Sequence, residues 1–170
     1  TFNGFSVYKL PSGIKVTEKG KDYRPGKYIY VKDKEGSDFW TANWDPVQRK
    51  GQTFKCRHGL SYSIIESKYD KLEMSFRIFI PKEEPMEIWT LKIKNTGSKK
   101  RNLQIFPFIE WLLVEELVPW DLPAWYSRGV SDEKNKTVIG RLKHPSKFGM
   151  VMEGFMKGLN NPTGFDCSRR

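Results

Sequence analysis

The clearest pattern along the chain has a period of two. From Leu72 to Ile80, the residues Leu72, Met74, Phe76, Ile78 and Ile80 share one face and Glu73, Ser75 and Arg77 the other, because successive strand side chains point to opposite sides of a sheet. From Glu87 to Asn95, Trp89, Leu91 and Ile93 alternate with Thr90, Lys92 and Lys94. Pro81 to Pro85 joins the two runs, which predicts an antiparallel pair. Leu103 to Trp111 follows the turn at Asn95 to Arg101 and is apolar on both faces except at Gln104 and Glu110. It reads as a strand between two layers, with Pro107 marking an edge or a bulge. Lys27 to Lys32, Leu60 to Glu66, Phe5 to Leu10, Thr137 to Leu142 and Phe148 to Phe155 read as further strands, with Asp132 to Lys136 as a turn. Only Glu110 to Val118 fits a helix, and Pro119 stops it. Val118 to Gly129 fits neither period and reads as a long loop dense in aromatics, a kind of segment that more often carries function than an ordinary connection does. Short strands punctuated by Gly, Pro and Asn predict an all-β antiparallel sandwich.

Composition narrows the class. The 170 residues carry 30 Lys plus Arg against 20 Asp plus Glu, a formal charge of +10, with the signs mixed along most of the chain. With 38% apolar and 14% aromatic residues the chain can bury a core, which excludes a disordered protein. The most apolar stretch, Phe106 to Val118, is broken by Pro107, Glu110, Glu115 and Glu116, well short of the ~20 apolar residues of a spanning helix, so no membrane segment is expected. The basic residues cluster only weakly, at Lys99-Lys100-Arg101 and at Arg169-Arg170, and no recognition helix, zinc-finger spacing or aromatic-basic motif accompanies them. Nucleic acid is not the expected partner. Cys56 and Cys167 read as two reduced thiols of a cytoplasmic protein rather than a disulfide framework. The chain opens at Thr1 without a basic-then-apolar leader, and is expected to be a fragment.

Three constellations compete for chemistry. Cys56-Arg57-His58-Gly59 invites a metal or nucleophile reading, but only Cys167 and His144 remain as further soft donors, too few for a zinc site, and no metal is expected. A buried Cys with hydrogen-bonding Arg and His ahead of a turn accounts for it better. Phe39, Trp40, Trp44 and Phe54, interleaved with Asp38, Asn43, Asp45 and Gln52, fit either a sugar platform or a sandwich corner. The loop with Trp120, Trp125, Tyr126 and Arg128 is harder to explain as core, and Arg128 offers a forked donor for hydroxyls or carboxylates. No phosphate loop, nucleophile elbow or His pair at metal spacing occurs.

The ordered blocks Lys27-Tyr28-Ile29-Tyr30-Val31-Lys32-Asp33, Asp38-Phe39-Trp40, Trp44-Asp45-Pro46-Val47 and Phe54-Lys55-Cys56-Arg57-His58-Gly59-Leu60-Ser61-Tyr62 resemble the N-terminal domain of glycoside hydrolase family 94. The resemblance continues through Phe79-Ile80-Pro81, Glu87-Ile88-Trp89, Arg101-Asn102-Leu103 and Glu110-Trp111 to Gly164-Phe165-Asp166. It implies an antiparallel β-supersandwich of the galactose-mutarotase-like kind, incomplete at both ends, with residues 1–170 forming one domain of a larger enzyme. The catalytic (α/α)6 barrel of that enzyme is then expected to lie outside this chain. The parent would be an inverting glycoside phosphorylase that cleaves β-linked oligosaccharides with inorganic phosphate as co-substrate, giving a sugar 1-phosphate, with no cofactor. No catalytic residue is then expected here. The family's loop arginine at the acceptor-sugar subsite corresponds to Arg128, with Ser127, Tyr126 and Trp125 beside it as substrate-binding residues. Family members commonly have an amide at Ser127, an asparagine at Gly129 and an acidic residue at Lys55, so the identity of the sugar stays open. A cytoplasmic homodimer is implied. The alternative is a stand-alone carbohydrate-binding β-sandwich module.

Overall fold

The computed structural model describes residues 7–8, 14–17, 26–115, 127–143 and 150–167. Thirteen strands account for its regular structure: β1 (Val7–Tyr8), β2 (Ile14–Thr17), β3 (Lys27–Asp33), β4 (Phe39–Thr41), β5 (Thr53–His58), β6 (Tyr62–Tyr69), β7 (Leu72–Phe79), β8 (Ile88–Asn95), β9 (Leu103–Ile109), β10 (Trp111–Glu115), β11 (Ser127–Asp132), β12 (Thr137–Lys143) and β13 (Val151–Lys157). No helix occurs among the described residues, and none there is long and apolar enough to cross a membrane. They fall into two compact units, one built from residues 26–108 and the other from 7–17 and 109–167.

The first unit is a two-sheet sandwich. A meander β5-β6-β7-β8 pairs antiparallel throughout, and the second sheet has the order β4-β3-β9. The period-two runs supply the inner face: Ile65, Leu72, Met74, Phe76 and Ile78 from the meander join Ile29, Val31, Trp40 and Ala42 in one core. Ion pairs fasten both ends of β3. Lys27, almost wholly buried, reaches the Glu87 carboxylate just ahead of β8 at 3.1 Å. At the other end Arg101 bridges Asp33 at 2.6 Å and Asp70, in the β6–β7 turn, at 2.9 Å. The Glu35 amide and then Arg101 hold the Asp33 carboxyl below its usual range.

The predicted β7–β8 pair forms as expected, with Phe76 opposite Leu91. Other expectations are corrected. β9 lies at a sheet edge, as Pro107 requires, but Ile105, Phe106 and Phe108 are exposed rather than enclosed between layers. The helix expected from Glu110 is instead β10, whose pairing with β2 slips between Trp111 and Val114. A bulge puts two consecutive residues against one on the partner strand, so Leu112 and Leu113 are both buried, and the apolar run no longer needs a helical period. The expected loop through Gly129 becomes β11 from Ser127 onward.

The second unit holds the sheets β1-β2-β10 and β11-β12-β13, the latter an antiparallel meander. Leu112, Leu113 and Leu142 form its small core, with Trp111 and Met152 packed against them.

Candidate functional site

Arg128 sits on β11, and the register of the meander decides what accompanies it. Directly opposed residues share a sheet face, so the row Arg128–Arg141–Glu153 projects to one side and the row Gly129–Gly140–Gly154 to the other. On the glycine side the backbone is bare for a reason. A Cβ at Gly140 would stand closer than 3.0 Å to Cγ, Cδ1 and Nε1 of Trp111, and one at Gly154 would crowd Cζ3 and Cε3 of the same ring. The indole therefore lies across both strands, and glycine is the only residue that leaves it room. A Cβ at Gly129 would meet Cβ and the carbonyl oxygen of Cys167 at 3.0 Å. The segment ending at Cys167 thus passes against β11 at this point, behind Arg128.

On the opposite side Arg128 is exposed, and its side chain has no ion-pair or hydrogen-bond partner among the described residues. Its neighbour Arg141 donates from Nε to Glu153. The adjoining row is Val130, Ile139 and Phe155, with Phe155 two-thirds exposed. A forked donor beside an apolar strip can hold a polar group and pack a ring or chain against hydrocarbon. Ser127 is placed by the Ser127–Leu142 pairing, while Trp125 and Tyr126, like Trp120, lie outside the described residues. Arg141, Glu153 and Phe155 were not singled out from sequence. Arg141 stands opposite Arg128 because the turn is the four residues 133–136, with Asp132 paired to Thr137. Counting across the expected turn Asp132 to Lys136 puts Gly140 there instead, so no sequence signal points to Arg141, Glu153 or Phe155.

The other two constellations resolve into structure. Cys56 and His58 share the inner side of β5, with Sγ 3.4 Å from Nε2, and His58 Nδ1 is 2.8 Å from Ser63 Oγ across the hairpin. Arg57 points the other way, to Glu66 at 3.2 Å. Cys56, Arg57 and His58 thus end a strand ahead of the turn at Gly59 that leads into β6, and burial pushes the Cys56 thiol above its ordinary range, the reverse of an activated nucleophile. Burial and then Asp166 raise Cys167 as well. No group of three or more His, Cys, Asp or Glu suited to a metal occurs among the described residues. Of the aromatic set, Trp40 is fully buried and donates to Met74 Sδ at 3.3 Å, while Trp44 stacks on Phe54 with centroids 5.1 Å apart. Their polar neighbours serve the fold: Asn43 bonds Lys27 O at 3.2 Å, Gln52 donates to Thr41 O at 2.7 Å, and Asp38 accepts from Tyr69 at 2.7 Å. The sandwich-corner reading accounts for this set.

These features define a two-unit antiparallel β-sandwich protein with an arginine-bearing sheet face. The chain matches the family model described as glycosyl hydrolase 94, supersandwich domain, over residues 3–170, and it belongs to that family. It is 34% identical over 113 residues to an N,N'-diacetylchitobiose phosphorylase of Vibrio furnissii, a match covering 64% of this chain and 14% of that protein. It is 34% identical over 115 residues to a solabiose phosphorylase of Paenibacillus borealis, covering 65% and 15% respectively. To a 3-O-beta-D-glucopyranosyl-beta-D-glucuronide phosphorylase of the same organism it is 32% identical over 80 residues, covering 47% and 10%. The matched stretch is therefore a small part of each of these relatives.

Proposed function

We propose that this chain is the N-terminal carbohydrate-site and dimerisation domain of a cytoplasmic inverting glycoside phosphorylase, and that Arg128 binds the acceptor sugar. Membership of the family supports the phosphorylase class. The observation that carries the site is the exposed Arg128 side chain, without a partner among the described residues, beside the strip of Val130, Ile139 and Phe155. In the family's chemistry, inorganic phosphate attacks the anomeric carbon while a carboxylic acid in the barrel protonates the departing oxygen. Phosphate takes the place of the water and general base of an inverting hydrolase. The work left to this chain is to bind and orient the sugar that departs. Guanidinium donors serve that role, because a sugar hydroxyl accepts their N–H groups without any proton changing hands. Trp125 and Tyr126, next in sequence, extend the proposal as stacking residues.

The test is an Arg128→Ala change in the full-length enzyme. Loss of charge-assisted hydrogen bonds raises the acceptor KM by about ten-fold while leaving phosphate affinity in place. An unchanged acceptor KM removes Arg128 from the site. The 170-residue chain alone releases no sugar 1-phosphate from any disaccharide.

A further inference from the structure

Arg128 shares its side of the sheet with groups that say which kind of sugar fits. Its directly opposed neighbour is Arg141, and Cβ atoms so paired stand only ~5 Å apart. Like charges in that position are unfavourable, and Glu153, next in the row, neutralises one of the two by accepting from Arg141. Neighbouring rows on this side add Lys143 and Lys157 against Asp132. The described face thus carries four cationic side chains (Arg128, Arg141, Lys143, Lys157) and two anionic ones (Glu153, Asp132). Guanidinium and ammonium groups donate and never accept. Glu153 accepts from Arg141 at Oε1, and Asp132 accepts from its own turn, at the Asn135 amide and side chain, so part of the acceptor capacity of this face is engaged within it. A neutral sugar hydroxyl presents a donor as well as acceptors and gains nothing from the two positive charges that this face carries in excess. A carboxylate presents acceptors only, in the planar spacing that a guanidinium fork matches with two parallel bonds.

Resting on the reading of Arg128 as a sugar-binding residue, we infer that this face selects a carboxylated sugar, a uronic or aldonic acid. The carboxylate lies on Arg128 with Arg141 alongside, and the carbon skeleton lies over Val130 and Phe155. Glu153 sets the strength of the selection, since it screens the second guanidinium.

The experiment follows backbone amides of residues 127–132, 137–143 and 151–157 by NMR in the 170-residue chain. Glucuronate, glucose and acetate are titrated separately at matched ionic strength. Glucuronate is expected to saturate the shifts at roughly five-fold lower concentration than glucose, with acetate no better than glucose. Arg141→Gln brings glucuronate back to the level of glucose, and Glu153→Gln, which keeps both arginines, widens the margin. Equal binding of glucose and glucuronate overturns the acid preference and leaves Arg128 as a sugar-binding residue. Acetate matching glucuronate reduces the face to an anion patch and overturns the preference too. An unaltered margin in Glu153→Gln does the same, even where Arg141→Gln fails to fold. If no sugar moves these amides, both readings fall.

Discussion

The two units fill the space beside their sheets by opposite means. In the first, side chains from both sheets interdigitate, with Phe76 and Trp40 fully buried amid Ile65, Val31 and Leu72. In the second, β12 and β13 present bare glycine backbone at Gly140 and Gly154, and a single indole from β10 occupies the vacated layer. The first is a core of many parts, which fails when bulk is removed. The second is a slot, which fails when bulk is added.

The largest effect expected from this contrast is Phe76→Ala. Deleting a fully buried ring leaves a cavity and costs about 3–5 kcal/mol. Hydrogen exchange of the β7 amides reads it locally, and near-normal protection there would mean that the first unit collapses around the gap as a fluid core does.

Gly140→Ala comes next, at about 1–3 kcal/mol, for adding one methyl group against Trp111. A cycle isolates the cause. If the slot argument holds, Gly140→Ala costs little in a Trp111→Leu background, because the two changes act on one contact. Additive effects on the exchange of β12 amides would break the comparison.

The Arg101 clamp gives a pH-dependent test within the first unit. Asp33 is held below its usual range by the Glu35 amide first and Arg101 second, so its contribution is fully present above the unfolded carboxylate value near ~3.9. It is lost as pH falls through the lower folded value. Arg101→Gln narrows that gap, raising the Asp33 titration midpoint seen by carboxyl NMR while the Glu35 amide keeps it short of the unfolded value. An unmoved midpoint assigns the whole depression to the amide.

How much of this was legible follows from contrast along each strand. β7 and β8 alternate large apolar residues with charged ones, and their pairing was read directly. β5 also has period two, but its inner positions are Phe54, Cys56 and His58, so the weak contrast hid a strand behind what looked like chemistry. β11, of Ser, Arg, Gly, Val, Ser and Asp, has turn-favouring residues at four of its six positions, and its glycine joins a cross-sheet row that no local window reveals. The bulge in β10 mimicked helical spacing. The site divides in the same way. Arg128 was found by its surroundings in sequence, whereas Arg141 and Glu153 became its neighbours only through register.

The smallest effect concerns a turn that sets register in the first unit, between β6 and β7. Tyr69 pairs with Leu72 across a two-residue loop in which Asp70 and Lys71 have φ of 43° and 62°. Such a loop matches the twist of the flanking strands only with both residues left-handed, a conformation glycine adopts freely and a lysine does not. Lys71→Gly removes that strain but loosens the unfolded chain and gives up contact of the Lys71 stem with the loop at Gly97. The net gain expected is about 0.5 kcal/mol, read as a higher denaturant midpoint at unchanged slope. A lower midpoint would mean that the packing of the lysine stem outweighs backbone strain even in a tight hairpin, and that the first unit relies on side-chain bulk at its turns as well as in its core.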